Sequence, residues 1–225
     1  MRKSISLLFA CTIMCMFFTG NALAYTAYSY GTLYLDIDTR PAAQNVNSRL
    51  NSIGYSSSYQ PSVSAATAYS QMQNANVWFF NGHGGNGYIA FYNPGYRYIT
   101  GTLHNPPYDN AISQLTGGVL NDCALAVFVA CGSGNSDATM GNLLDQSQMN
   151  GVDTALGFSG VLDAAKSDYW AQQFAYYLDQ QYSIYNAAAQ AATDTYYNKF
   201  GYGGTNTYVI SGSIGATIDP ARAGW

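Results

Sequence analysis

Two apolar segments in this chain each end at a reactive side chain beside glycine, and they constrain its fold more than any other feature. The first, VWFFNGHGG, covers residues 77–85 and contains His83; the second, LAVFVACGSG, covers residues 125–134 and contains Cys131. Each is typical of a short buried strand that enters a glycine-rich turn. Because the carboxyl ends of neighbouring parallel strands meet in one crevice, we expect His83 and Cys131 to lie close together.

An imidazole beside a thiol is the minimum arrangement for nucleophilic catalysis by cysteine. A neutral histidine accepts the thiol proton, and the resulting thiolate is the nucleophile. The oxyanion that forms then needs backbone N–H donors, which Gly84 and Cys131 can supply because both lie where the chain leaves the sheet. Taken singly, His83 is better explained as an ordinary turn histidine and Cys131 as a small apolar residue at a strand end. Their joint placement favours a catalytic pair.

Residues 1–24 are typical of a secretory signal peptide. Two basic residues, Arg2 and Lys3, precede an apolar stretch that is too short for a membrane span, and Ala22-Leu23-Ala24 is a small-x-small cleavage site. The predicted mature chain has 225 − 24 = 201 residues, a suitable length for one domain covering residues 25–225. We therefore expect a secreted or otherwise extracytoplasmic protein without a membrane span in its mature chain.

Two cysteines, Cys123 and Cys131, follow the predicted cleavage site, and in an exported protein such a pair would ordinarily form a disulfide. If residues 125–130 form a strand, however, the two Cα atoms lie roughly 26 Å apart. A disulfide needs them within about 7 Å. We therefore predict two free thiols. A lipoprotein-type site at Cys11 is a weaker alternative to the signal peptide, because the apolar core before it is very short.

The composition of the predicted mature chain argues against several classes of function. It keeps six basic and all twelve acidic residues, a formal charge of 6 − 12 = −6, and the basic residues are scattered, so nothing indicates a nucleic-acid-binding surface. His83 and His104 lack the spacing of metal ligands, so we predict no metal and no other cofactor. A lipase or esterase would need a Gly-x-Ser-x-Gly motif and a later histidine, and neither occurs.

Strands alternate with helices along the chain, which predicts a three-layer α/β/α sandwich around a mostly parallel sheet. Besides the two apolar segments, strands are predicted at residues 32–38, 154–158 and 207–210. Helices are predicted at residues 42–53, 63–73, 108–120, 138–149, 166–180 and 183–200, with a polar loop at 55–61 and a hairpin or flap at 87–100.

The two motifs resemble those of the caspase-fold cysteine peptidases, the superfamily that includes gingipains, clostripain, legumains, metacaspases and bacterial CHAT domains. In that superfamily one apolar strand ends in His-Gly and the next core strand in Ala-Cys or Ser-Cys. Here these are His83-Gly84 and Ala130-Cys131, separated by 131 − 83 = 48 residues. The segment GVDTALGF at residues 151–158 is also similar to the CHAT-type pattern, and the resemblance covers roughly residues 31–200.

The resemblance implies a cysteine endopeptidase that acts on a peptide or protein substrate through a thioester. His83 would be the general base or acid, Cys131 the nucleophile, and the N–H groups of Gly84 and Cys131 the oxyanion hole. The loop at residues 159–163 would shape the pocket for the residue before the scissile bond, and several relatives place an acid there and cleave after Arg or Lys. The candidate pocket residues are Asp36, Asp38, Asp137, Ser159 and Asp163, although each aspartate is also read as a solvated or helix-capping residue.

The alternative is a non-catalytic, peptidase-like or tyrosine-rich extracellular binding module. The chain contains 21 tyrosines, and exposed rows of tyrosine suit glycan or peptide contacts. The aromatic stretch at residues 88–98 would be its natural surface. A free and reactive Cys131 favours the enzyme, whereas a bridged or inert one favours the module.

Overall fold

The computed structural model describes residues 25–35, 37–93, 95, 97–103 and 109–220, with residue 109 described as backbone only. The strands are β1 (Thr26–Gly31), β2 (Leu33–Tyr34), β3 (Ile37–Asp38), β4 (Ser56–Gln60), β5 (Val77–Asn81), β6 (His83–Gly85), β7 (Tyr88–Phe91), β8 (Arg97–Thr100), β9 (Asp109–Ala111), β10 (Leu125–Val129), β11 (Thr154–Phe158) and β12 (Tyr208–Gly212). The helices are α1 (Arg40–Ile53), α2 (Ala65–Met72), α3 (Leu143–Met149), α4 (Ala164–Asp179) and α5 (Ile184–Asn198), and a 3₁₀ turn covers Ile112–Gln114.

The main sheet has six strands in the order β4–β1–β5–β10–β11–β12. Neighbours from β4 to β11 pair in parallel, and β12 joins β11 in the antiparallel direction. Every residue of β5 and β10, the two central strands, is buried. The prediction of a mostly parallel sheet is therefore confirmed. The unbroken apolar runs follow from it, because a strand covered on both faces has no polar side.

Helices α1, α4 and α5 cover one face of this sheet. α1 contributes Val46 and Leu50 to the core, and α4 contributes Trp170 and Phe174. The rings of Trp170 and Phe174 stack with their centroids 4.8 Å apart. The buried side of α5 consists mainly of alanines, so α5 can lie close against α4 and seal this layer.

The opposite face of the main sheet is covered by α2, α3 and a smaller sheet in the order β6–β7–β8–β9. Trp78 and Phe80 of β5 and Phe128 of β10 point to this side and pack in one cluster with Met72 and Ile89. The three-layer α/β/α prediction is thus confirmed, with a small sheet added to one layer. The predicted hairpin at residues 87–100 is its antiparallel pair β7 and β8.

The predicted strand at residues 32–38 is wrong. The chain there forms a hairpin of two short strands, β2 and β3, and the strand that enters the main sheet is the preceding β1. Leu33 and Leu35, two apolar residues of the alternating pattern that predicted this strand, are 48% and 78% exposed. β1 instead buries small and aromatic residues, among them Ser29, whose hydroxyl donates to the carbonyl oxygen of Ala43 at 2.6 Å. A buried serine with a backbone acceptor costs little, so polarity was a poor guide here.

Three other segments also differ from their predictions. Residues 55–61 are not a loop, because β4 forms the edge of the main sheet, where polar side chains can face water. The predicted helix at residues 108–120 is replaced by β9 and the 3₁₀ turn, since Asn110 and its neighbours extend the smaller sheet. The predicted helix at residues 138–149 begins only at Leu143, where the side chain of Asn142 caps it.

No helix within the described ranges is long and apolar enough to cross a membrane. The predicted signal peptide at residues 1–24 lies outside the described residues, so cleavage and export stay predictions.

Phe174 gives a direct test of this packing, because it is fully buried between Trp170 and Phe79. We expect Phe174→Ala to lower the free energy of unfolding by about 3–5 kcal/mol, since it removes a large apolar group and leaves a cavity. Urea unfolding of residues 25–225, followed by circular dichroism, measures the loss. Tyr197→Ala on the exposed face of α5 is the control, and equal losses for both variants would contradict the packing described.

Candidate active site

The pairing of β5 with β10 brings His83 and Cys131 to the same edge of the main sheet. The two strands are parallel and in register, with Asn81 opposite Val129 as the last pair. The N–H of Gly82 then donates to the carbonyl oxygen of Val129 at 3.0 Å. His83 and Cys131 each follow that last pair by two residues, so they occupy equivalent positions beyond adjacent strand ends.

Close backbone contact at Gly84 holds the two strand ends together. A Cβ atom on Gly84 would lie 2.8 Å from Cβ of Ala130 and 2.6 Å from the carbonyl oxygen of Tyr88, distances that real Cβ atoms do not reach. On the other side Gly132 has φ +65° and packs against Asn86, with no room for a Cβ. Glycine at both positions therefore lets β6 lie directly against the turn that carries Cys131.

The thiol of Cys131 is half-buried and faces the loop at residues 159–163. The backbone N–H of Leu162 donates to Sγ at 3.2 Å, and Sγ lies 3.9 Å from the carbonyl oxygen of the same residue. An N–H donor at this distance stabilises negative charge on sulfur. Within the described residues the N–H of Cys131 itself donates to no acceptor, while that of Gly132 donates to the carbonyl oxygen of Gly160. The Cys131 N–H is therefore available to an incoming oxygen.

Cys123 and Cys131 are both free thiols, as the strand geometry predicted. Cys123 lies before β10 in the core and Cys131 lies beyond its other end. Burial raises the pKa of Cys123 to about 12. Cys123 is therefore a core residue, and the thiol at the edge of the sheet is that of Cys131.

Two stacked tyrosines lie against one side of the imidazole of His83. Tyr34 of β2 and Tyr92, which follows β7, stack with centroids 4.0 Å apart and planes 9° apart. The imidazole stands nearly perpendicular to both, at 5.4 Å from the Tyr34 centroid and 5.8 Å from that of Tyr92. Burial lowers the pKa of His83 below its ordinary range. The ring is therefore largely neutral at pH 7, the form that accepts a proton.

A chain of polar side chains lies at the end of β5, two residues before His83. The amide of Asn81 donates to the carboxylate of Asp168 on α4 at 2.7 Å, and the carbonyl oxygen of Asn81 accepts from the hydroxyl of Thr39 at 2.7 Å. Burial raises the pKa of Asp168 to about 6, and the nearby charge of Asp38 acts in the same direction, while the Asn81 amide opposes both. This network ties the end of β5 to the first turns of α1 and α4.

The acids and the serine predicted from the sequence for the substrate pocket are held by local partners. Asp38 forms a two-point ion pair with Arg40, with a closest distance of 2.7 Å, and Asp137 accepts from the N–H groups of residues 139 and 140 within its own loop. Asp163 caps the start of α4, and the hydroxyl of Ser159 donates to the carbonyl oxygen of Thr207. Asp36 lies outside the described residues. Of this set, Ser159 and Asp163 belong to the loop that contacts the Cys131 thiol.

Several residues of the site carried no usable signal in the sequence. Tyr34 lies inside the predicted strand at residues 32–38, which the structure contradicts, Tyr92 inside the predicted hairpin, and Asp168 on the predicted helix at residues 166–180. Leu162 contacts sulfur through its backbone, which a residue type does not reveal. Their roles come from contacts between segments far apart in the chain.

The structure is similar to solved cysteine peptidases, although no family model and no curated protein sequence matches the chain. An arginine-specific cysteine proteinase, gingipain R (RgpB), superposes with a TM-score of 0.62 at 12% identity, over 88% of this chain and 48% of that one. The complex of Porphyromonas gingivalis RgpB pro- and mature domains gives 0.56 at 13%, over 88% and 49%. The Saccharomyces cerevisiae separase in its complex with securin gives 0.50 at 13%, over 84% and 12%.

These similarities show that the chain has the caspase-like cysteine peptidase fold. The resemblance inferred from the His83 and Cys131 motifs is thereby confirmed at the level of fold. The chain spans about half the length of the gingipain structures it matches.

The two thiols should differ strongly in reactivity. We expect iodoacetamide to label Cys131 in the native protein while Cys123 reacts only after unfolding, because Cys123 is buried and its raised pKa keeps it protonated. Peptide mass mapping after timed labelling gives both rates, and labelling in denaturant serves as the control. Equal native rates would contradict the placement of the two residues.

Asp168 should make the stability of the protein depend on pH in a defined window. Its pKa of about 6 in the folded protein exceeds that of an unfolded aspartate, near 4. The folded state therefore binds more protons between these values, and the free energy of unfolding should fall as pH rises from 4 to 6. Asp168→Asn keeps the acceptor for Asn81 and removes the titration.

The measurement is urea unfolding of wild type and Asp168→Asn at several values between pH 4 and pH 7. The wild type should lose stability relative to the variant across that window, and other titrating groups cancel in the difference. Two parallel curves would show that Asp168 is not shifted.

Proposed function

We propose that this protein is an exported cysteine endopeptidase in which Cys131 is the nucleophile and His83 transfers the proton. The observation that carries the proposal is the in-register pairing of β5 with β10. It puts each of the two residues two positions beyond the last residue pair of the two strands, Asn81 with Val129. The caspase-like fold supports it, because the solved structures that share the fold are cysteine proteases. Export rests on the sequence of residues 1–24.

The chemistry follows from the two groups. Neutral His83 takes the proton of Cys131, and the thiolate sulfur attacks the carbonyl carbon of the scissile peptide bond. The carbon–nitrogen bond then breaks, the leaving amine takes the proton from His83, and the acyl part stays on sulfur as a thioester. A water molecule deprotonated by His83 attacks the thioester, which releases the carboxylic acid and restores the thiol.

Backbone donors stabilise the negative oxygen that forms in each attack. The N–H of Cys131 is not engaged within the described residues, and Gly84 lies against the carbonyl side of the same turn. Two N–H groups aimed at one oxygen form an oxyanion hole. An oxyanion hole built from these two groups also requires glycine at position 84, because any side chain there would push β6 away from Cys131.

We also propose, from the sequence, that the residue before the scissile bond is Arg or Lys. The similarity to an arginine-specific proteinase agrees with it. The described candidate acids, Asp38, Asp137 and Asp163, are engaged in local hydrogen bonds, so a basic side chain has to share one of these carboxylates or meet Asp36. A positional-scanning peptide library tests this preference separately from the activity itself.

A cleft of about 220 Å³ adjoins the histidine side of the site. It is lined by the end of β1, by Arg40 and by residues 60–63, and Tyr92 forms part of its wall. Because His83 protonates the leaving amine, the side of the site nearest this cleft suits residues that follow the scissile bond.

A non-catalytic binding module is the second candidate, favoured by exposed aromatic residues. In the stretch at residues 88–98 the described tyrosines are half-buried, and Tyr88 and Tyr98 pair with centroids 4.9 Å apart. Among the described residues, exposed aromatic side chains cluster on and after α5, where Phe200 is 94% exposed. Such a surface can bind without any chemistry at Cys131.

Removal of either member of the proposed pair should abolish peptide hydrolysis. We expect Cys131→Ala and His83→Ala to lower kcat/KM by several orders of magnitude and to a similar extent, because the two residues act as a unit. Hydrolysis of a fluorogenic peptide library by the purified protein measures the loss, and thermal unfolding checks that both variants fold.

Cys123→Ala is the matched control, since it removes a thiol from the core and should leave most of the activity. Turnover that survives Cys131→Ala would end the peptidase proposal. A wild-type protein that cleaves no peptide in the library would favour the binding module.

A further inference from the structure

His83 has no carboxylate partner in the described part of the chain. In many sites that use histidine, a carboxylate orients the ring by accepting a hydrogen bond from it. Here no described carboxylate is bonded to His83, and its Nε2 is buried without a hydrogen-bond partner among the described residues. The carboxylates on neighbouring elements are bonded to other residues: Asp38 forms an ion pair with Arg40, and Asp168 accepts a hydrogen bond from Asn81. Among the described residues, the side chains that contact the ring are aromatic.

The stacked pair of Tyr34 and Tyr92 is in position to set the orientation of the ring. Both rings stand at nearly a right angle to the imidazole, 83° for Tyr34 and 89° for Tyr92, within 6 Å of its centroid. The perpendicular arrangement is an attractive geometry for aromatic rings, since the positive edge of one meets the negative face of the other. Because the two tyrosines stack on each other, neither ring can turn without disturbing its partner.

The two tyrosines come from separate elements that are each anchored. Tyr92 follows β7, which pairs with β6 and so with His83 itself. Tyr34 lies on the β2–β3 hairpin, where it pairs with Ile37, and the neighbouring Asp38 is tied to the first residue of α1 through Arg40. The stack therefore closes a ring of contacts between the end of β1, the start of α1 and the smaller sheet.

We propose that Tyr34 and Tyr92 form an aromatic clamp that positions His83, in the place that a carboxylate takes in other histidine-dependent sites. The catalytic role of the clamp rests on the proposed function, whereas the clamp as a structural feature rests on the ring geometry alone. The aromatic rings are the acting groups and they touch no reacting atom, so both tyrosines are positioning residues.

The clamp also accounts for the environment of the imidazole. The titratable side chains shown against the ring are those of Tyr34 and Tyr92, while Cys131 lies at the matching position beyond the adjacent strand end. The two tyrosine rings exclude water from one side of His83, and burial lowers its pKa. Loss of either ring should admit water and move the pKa back toward its ordinary value.

The first experiment reads His83 directly, without any assay of activity. The chain contains two histidines, so ¹⁵N-histidine labelling gives two sets of ring signals, and His104→Gln assigns them. A pH titration by NMR then gives the pKa of His83 in wild type, Tyr34→Ala, Tyr92→Ala and the corresponding phenylalanine variants. We expect the alanine variants to raise it and the phenylalanine variants to keep it near the wild-type value, because phenylalanine preserves the stack.

The second experiment measures kcat/KM of the same variants against pH. Either alanine variant should lose up to about 100-fold, the scale expected when a reacting group is misplaced by an ångström. The acidic limb of its pH profile should move upward with the pKa of His83, and phenylalanine should restore most of the loss. Tyr98→Ala is the matched control, since it removes one ring of another tyrosine pair in the smaller sheet.

The outcomes separate the clamp from the proposed function. Folded alanine variants with an unshifted His83 titration overturn the clamp, whether or not the protein cleaves peptides. Phenylalanine variants that behave like alanine overturn it as well, since the hydroxyl rather than the ring would then matter. If the wild type cleaves nothing, the peptidase proposal fails, and the NMR titration still decides whether the tyrosines hold His83.

Discussion

The parallel pairing of β5 with β10 is the constraint on which the rest of the structure depends. Five consecutive residue pairs set the register, from Val77 with Leu125 to Asn81 with Val129. A slip of one residue would turn every side chain of one strand to the opposite face, exchanging Phe79 and Trp78 between two different helix layers. Burial on both faces forbids such a slip. The same register that packs the core therefore also delivers His83 and Cys131 to matching positions, and catalysis would need no separate device to align them.

Sequence patterns revealed those parts of the fold that are buried on both sides by apolar residues. β5, β10 and β11 were visible as unbroken apolar runs, and α1 was visible from its face of Val46 and Leu50 and from Gly54, which ends it in the left-handed conformation. β1 and β4 were missed for a different reason. Ser29 of β1 is buried because the carbonyl oxygen of Ala43 accepts its hydroxyl, and the polar edge strand β4 needs only backbone pairing with β1. Such hydrogen bonds depend on neighbours that are distant in sequence.

The residues of the candidate site fall into the same two groups, those with a local signal in the sequence and those without one. His83, Gly84 and Cys131 were identifiable because each stands at the end of an apolar run or in a glycine turn, and both are local signals. The tyrosines beside His83 and the carboxylate of Asp168 were not, because they reach the site from a hairpin and a helix whose positions follow only from the assembled sheet. The acids proposed for the pocket show the limit of residue type as evidence. Asp38 and Asp163 have the expected charge, yet an ion pair and a helix cap already occupy them.

At the carboxyl edge of the main sheet, side-chain hydroxyl groups form hydrogen bonds with backbone groups that lie beyond the last strand pairs. This explains how the N–H of Cys131 can remain without an acceptor among the described residues. Beyond the last strand pairs, backbone groups need other partners, since buried N–H and C=O groups are rarely left unbonded. Thr39 donates to the carbonyl oxygen of Asn81, Ser133 accepts from the N–H of Phe158, and Thr207 accepts from the N–H of Gly160. These bonds hold the three strand ends around the site without using Cys131. Among the described residues the Cys131 N–H therefore has no acceptor, which is what its proposed role as an oxyanion donor requires.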